Sequence, residues 1–128
     1  MSCHDIGRGM ASVGKEVLRL YDEQKYDIHT AKELLWATMR GVNWCDGNRY
    51  EAAVSLECRC ANCLKRVIAP EKELMFGSDY FAEVSGVRTE AYKEDDTSRA
   101  IEELYLKKQL LAPQICRDCY QELFAAAK

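Results

Sequence analysis

Cys60-Ala61-Asn62-Cys63 and Cys116-Arg117-Asp118-Cys119 are the stretches whose reading decides the fold of this chain. The two-residue gap inside each pair lets both sulfurs converge on one ion within a single tight turn. Two such turns supply the tetrahedral four-thiolate shell of a structural zinc site, with metal–sulfur bonds of about 2.3 Å. A lone pair would also suit a redox motif, but two pairs at equal spacing point to a metal. The expected ligands are Cys60, Cys63, Cys116 and Cys119, and the expected cofactor is Zn2+. The plainer alternative is two sets of buried free thiols, which pack as small apolar side chains.

The residues after each pair sharpen the expectation. Cys63 leads into Leu64-Lys65-Arg66-Val67-Ile68, a polar turn and Leu74-Met75-Phe76, which predicts a hairpin over about 65–76. After Cys119, residues Tyr120, Leu123, Phe124 and Ala127 fall on one helical face. A zinc knuckle with a hairpin first, and a cysteine pair opening a helix last, resembles the treble-clef zinc fingers over residues 60–76 and 114–128. The resemblance implies a fold and carries no function with it. The chain departs from that pattern twice. Leu64 stands where such knuckles often carry glycine, and residues 64–115 exceed what a minimal finger needs, so the insert must be structured in its own right.

Residues 1–57 read as a helical subdomain. Met10, Val13, Val17, Leu20 and Tyr21 predict a helix over about 9–23, in which Gly14 is a liability of about 1 kcal/mol. Thr30 and Glu33 read as a capping box for a second helix that buries Ala31, Leu34, Leu35, Thr38 and Met39 and stops at Gly41. Together they predict an antiparallel helical hairpin. A turn at Asp46-Gly47-Asn48 and a short helix from Tyr50 to Leu56 complete this half. Residues 58–128 read as a zinc-binding α+β subdomain. Strands are expected at 79–84 and 87–92 around a Ser85-Gly86 turn, then a helix opened by Glu94-Asp95-Asp96 that runs through Leu111 to Pro113. The fold class is α+β: an N-terminal helical hairpin, then a treble-clef-like hairpin and helix with a helical insert. The two halves are expected to form one compact unit.

Topology suggests a second ion. In an antiparallel hairpin the start of the first helix lies beside the end of the second, so Cys3, His4 and Cys45 share an end within reach of Cys58. His29 falls at the opposite end. The alternative is a frayed terminus beside small buried thiols. A further ambiguity is that Cys58 and Cys60 could exchange roles in the first site.

Composition bounds the function. The chain has 128 residues, of which 48% are hydrophobic and 30% charged, as in a globular protein. The longest uncharged stretch, Gln109 to Cys116, is far below the roughly 20 residues of a membrane span. Met1–Asp5 lacks the basic start and apolar run of a signal peptide, and clustered thiols suit a reducing compartment, so the cytoplasm is expected. Seven cysteines also suit a closed disulfide framework badly. A net charge of −3, from 18 basic and 21 acidic residues, gives no global attraction to nucleic acid. No His-Glu-x-x-His, phosphate loop or nucleophile elbow is present, so a zinc-dependent enzyme is the least favoured reading. Nucleic-acid binding is the alternative, carried by Arg59, Lys65, Arg66, Lys107, Lys108 and Arg117. The favoured expectation is a non-catalytic zinc-stabilised module, adaptor or inhibitor, that binds another protein through aromatic anchors drawn from Tyr26, Trp36, Trp44, Tyr50 and Tyr80.

Overall fold

A computed structural model describes the backbone of residues 3–40 and 51–125. The expected stop at Gly41, the turn at 46–48, the anchors Trp44 and Tyr50, and Ala127 lie outside the described residues. The chain divides into two compact units, Met1–Leu56 and Glu57–Lys128. The described residues are mostly helical, with one two-stranded antiparallel sheet.

The first unit is built from helices α1 (Cys3–Asp22) and α2 (Ile28–Arg40), which pack on each other, and a 3-10 turn at Val54–Leu56 that packs on α1. Helix α1 starts well before the expected Gly9. Its buried face is carried by small residues, Gly7, Ala11 and Gly14, together with Val17 and Leu18, whereas Val13 is 48% exposed. Gly14 explains this. A Cβ there would stand 2.5 Å from Ser55 Oγ, so glycine is what lets the 3-10 turn approach the helix. Of the expected face Val17 is buried and Met10, Leu20 and Tyr21 are half-buried, while Ala11, Gly14 and Leu18 beside them take the most buried positions.

Helix α1 ends where Gln24 enters the left-handed region, at φ 62. Lys25 N–H then reaches Leu20 C=O at 2.9 Å and Gln24 N–H reaches Tyr21 C=O at 3.0 Å, the paired bonds of a Schellman stop. Helix α2 is capped by Asp27, not by the expected Thr30–Glu33 box. Asp27 Oδ1 accepts the Thr30 N–H at 2.7 Å, and Glu33 instead faces His29 across 3.1 Å on the exposed side. Ala31, Leu35 and Met39 are buried as expected, while Leu34 is exposed and Thr38 half-buried.

The second unit corrects the β-rich expectation. After the Cys60–Cys63 turn come a single helical turn α3 (Pro70–Glu73), strand β1 (Leu74–Phe76), helix α4 (Asp79–Val84) and a 3-10 turn at Thr89–Ala91. Helix α5 (Asp96–Leu106), strand β2 (Gln114–Cys116) and helix α6 (Arg117–Ala125) complete it. Strand β1 pairs with β2, in the register Leu74↔Cys116, Met75↔Ile115 and Phe76↔Gln114. The expected hairpin over 65–76 therefore does not form; residues 77–113 separate the paired strands. Where strands were expected at 79–84 and 87–92 there are α4 and the 3-10 turn.

Gly86 accounts for much of that misreading. Its positive φ of 87 suits a hairpin, but here it ends a helix: Val87 N–H reaches Ala82 C=O and Gly86 N–H reaches Glu83 C=O, both at 2.9 Å. Lys108 repeats the motif with φ 61, and its neighbour Gln109 bonds Leu104 C=O at 2.8 Å. Helix α5 thus stops short of the expected Leu111, and residues 110–116 run on as a wholly buried segment that bends at 110–113 before strand β2. Its start is a capping box: Asp95 Oδ1 accepts the Ser98 N–H at 2.9 Å and Ser98 Oγ accepts the Asp95 N–H at 2.8 Å. The core of this unit holds Leu64, Phe81, Ile101, Leu111 and Ile115, all at most 2% exposed, with Tyr105 edge-on to Phe81 at 6.0 Å. No described helix is long and apolar enough to cross a membrane.

Gly77 is where β1 meets α5. A Cβ on it would lie 2.5 Å from Glu102 N and 3.0 Å from Ser98 O, both backbone atoms that cannot swing aside. Gly77→Ala is expected to destabilise by about 1–3 kcal/mol, as overpacking does. Gly9→Ala, in α1 with nothing within 4 Å of the added carbon, is expected to stabilise by about 0.5–1 kcal/mol. Denaturant titration of the two variants checks both signs.

Candidate metal centre

The first cysteine pair is held by a tight turn between two extended residues, Arg59 and Arg66, which form an isolated antiparallel bridge. Cys60 N–H donates to Lys65 C=O at 3.0 Å, and Leu64 N–H donates to Cys60 C=O at 2.9 Å. Closing the turn puts Leu64 at φ 64, the left-handed conformation that glycine adopts freely and that a side chain disfavours by roughly 1–2 kcal/mol. Leu64 is completely buried, and burial of its side chain, at about 1.5–3 kcal/mol, offsets that strain. The departure seen in the sequence is thus a leucine forced into a glycine conformation and anchored there by the core.

The second pair sits where β2 passes into α6. Cys116 ends the strand and Cys119 lies in the first turn of the helix. Two hydrogen bonds join this segment to the first turn: Ala61 N–H to Gln114 C=O at 3.0 Å, and the Gln114 side-chain amide to Arg59 C=O at 2.7 Å. The Arg59 guanidinium in turn donates to Leu64 C=O at 3.1 Å. Arg59 and Gln114 are 4% and 1% exposed, and sequence reasoning gave Gln114 no role and Arg59 only a surface charge. The readable signal for Gln114 was one amide in the otherwise apolar run Leu110–Cys116.

These supports bring the four sulfurs of Cys60, Cys63, Cys116 and Cys119 within 4.8 Å of one another. Cys63 Sγ and Cys116 Sγ are 4.0 Å apart, close to the roughly 3.8 Å edge of a tetrahedron with 2.3 Å metal–sulfur bonds. All four are free thiols; Cys60, Cys116 and Cys119 are buried and Cys63 is half-buried. Among the described residues no other group of His, Cys, Asp or Glu clusters in this way. Backbone N–H groups of Asn62 and Cys63 point at Cys60 Sγ from 3.4 and 3.5 Å, and the Asn62 side chain hydrogen-bonds Cys119. Such donors stabilise sulfur in its charged form. The arrangement could hold a metal ion.

Cys58 stands outside the cluster. Its φ is 59, its N–H donates to Ser85 Oγ at 3.1 Å, and its sulfur lies 3.5 Å from Ser85 C=O. Cys60, not Cys58, therefore joins the other three. The side chains of Cys3 and His4, and all of Cys45, lie outside the described residues.

Electrostatics separates Cys60 and Cys119 from Cys116. Burial pushes Cys60 up to about 11 and pushes Cys119 up as well. Burial also acts to raise Cys116, but hydrogen bonds from the Cys119 backbone and from the neighbouring thiols outweigh it and carry Cys116 below the ordinary value. The metal-binding form is the thiolate, so an arriving ion must displace protons that Cys60 and Cys119 hold tightly. Affinity is therefore expected to fall steeply as pH drops from about 8 to about 6, with protons released into weak buffer on binding. A metal titration at several pH values checks this. Gln114→Ala should lose about 1–3 kcal/mol of stability by removing the buried amide that donates to Arg59 C=O, and should speed metal release. No protein-family model, curated protein or solved structure matches this chain, so the chemistry of the site stands on its geometry alone.

Proposed function

We propose that this chain is a small zinc-stabilised protein-interaction module, an adaptor or an inhibitor of a larger protein, with no catalytic role. The observation that carries the reading is the buried group of four thiols at near-tetrahedral spacing. Four sulfur ligands complete the shell that zinc takes in structural sites and leave no position for a substrate or an activated water. Free thiols in this number suit a reducing compartment such as the cytosol. We read the metal unit as a treble-clef-type finger whose hairpin is β1 with β2, with residues 77–113 inserted at its tip and α6 carrying the second cysteine pair.

The metal's part is to stabilise a unit, Glu57–Lys128, of a size at which a hydrophobic core alone is marginal. The part left to the surface is binding. Tyr80 is 37% exposed, and Tyr26 and Trp36 are half-buried, which keeps these three available as contact residues. Residues Asp118 and Glu122 on α6, both exposed beside Arg117, argue against a helix that reads a nucleic-acid groove.

Three measurements test the reading together. Metal analysis of the purified chain should find zinc, and Cys116→Ser should remove it and unfold the second unit. Zinc-loaded chain should show no binding to random duplex DNA at micromolar concentration and physiological salt, while pull-down from its source cells should retain a protein that chelation releases. Salt-sensitive nanomolar binding to nucleic acid would instead establish the alternative function. A metal-free chain with an unchanged melting temperature would overturn the zinc assignment.

A further inference from the structure

Among the described residues the sheet has two strands, and the hydrogen-bond parity of β1 identifies the edge that faces away from β2. Gly77 N–H donates to Pro113 C=O at 2.8 Å, so Gly77 and Pro113 form a hydrogen-bonded pair. Antiparallel ladders alternate, so Met75 and Ile115 form the next such pair. The backbone groups of Leu74 and Phe76 therefore point away from β2. Leu74 N–H is taken by Pro70 C=O. Among the described residues no hydrogen bond outside the β1–β2 ladder involves Phe76 N–H or C=O. A strand edge whose groups point away from the ladder is a template for another strand.

A cavity of about 330 Å³ borders β1. Leu74, Met75 and Phe76 all line it, which consecutive residues of a strand do only when the cavity follows the edge, since their side chains alternate between faces. Ala82 and Val87 give it an apolar wall. Its charged groups are Lys93, Arg117, Asp95 and Glu71. Asp95 is engaged as the cap of α5, and Arg117 Nε donates to Lys72 C=O, which leaves its terminal N–H groups for another acceptor. Lys93 and Arg117 favour one carboxylate, and Glu71 opposes a run of them.

We propose that β1 captures an extended peptide from a partner protein as a third strand, the peptide presenting small apolar side chains to Ala82 and Val87 and one acidic side chain to Lys93 and Arg117. This rests on the protein-interaction reading and names the form of the partner. Main-chain bonds at Phe76 provide the attachment, and the wall and the two cations select the sequence.

The test begins with a random heptapeptide library displayed against the zinc-loaded full chain, followed by synthesis of the strongest binder. Three results are expected. Bound peptide should slow exchange of the Phe76 amide at least tenfold, by NMR. N-methylation at alternate peptide residues should abolish binding in one parity and spare it in the other. Lys93→Glu, at an exposed position, should weaken binding about tenfold. Peptides that bind without protecting Phe76, or whose binding ignores N-methylation, would overturn the edge as the site while leaving the protein-interaction reading intact. A library that yields no binder would overturn it too, and retention of a folded partner in the pull-down would show that the broader reading survives.

Discussion

Four sulfurs that lie far apart along the chain must meet within 4.8 Å, and the second unit is arranged around that demand. The tight turn at 60–63 positions one pair and the passage from β2 into α6 positions the other. Neither would find its partner without the seam between them. Ala61 bonds to Gln114, Gln114 bonds back to Arg59, and Arg59 closes on Leu64. Each buried polar group in that circuit is satisfied, which is the condition for carrying an arginine and a glutamine in a core at all. The sheet adds to the same constraint, since pairing Leu74 with Cys116 fixes where the second pair begins.

This centre was the most legible part of the chain because a local rule governs it. The spacing of two cysteines is a statement about one turn of backbone, and it needs no knowledge of the rest of the fold. The strands were legible in part. Leu74–Phe76 reads as a strand and is one, but its partner could not be chosen by proximity: the nearest apolar run, Val67-Ile68, lost to Gln114–Cys116. Ile68 ended up 98% exposed. The turn at 69–73, read as the hairpin's bend, is instead a turn of helix begun by Pro70.

Helix ends explain most of what sequence could not show. Gln24, Gly86 and Lys108 each close a helix in the left-handed region, and only one of the three is glycine. A glutamine and a lysine give no warning of that geometry, and the glycine warned of a hairpin. In the first unit the miss has another cause. Gly14 scores as a defect by helix propensity, yet it is the point of closest approach to Ser55. Propensity measures a helix in water, and this helix is shaped by what lies against it.

The separation of 53 residues between Cys63 and Cys116 has a consequence in the denatured chain. A bond that joins two such distant points removes conformations from the unfolded ensemble as a covalent cross-link does. In the loop-entropy description a closure of this length is worth roughly 4 kcal/mol. An ion held by both pairs would therefore act as a reversible staple. It would favour the folded state by restricting the open one, over and above any bond strength it adds. Cells could set the stability of this unit through the supply of free metal, without altering a contact in its core.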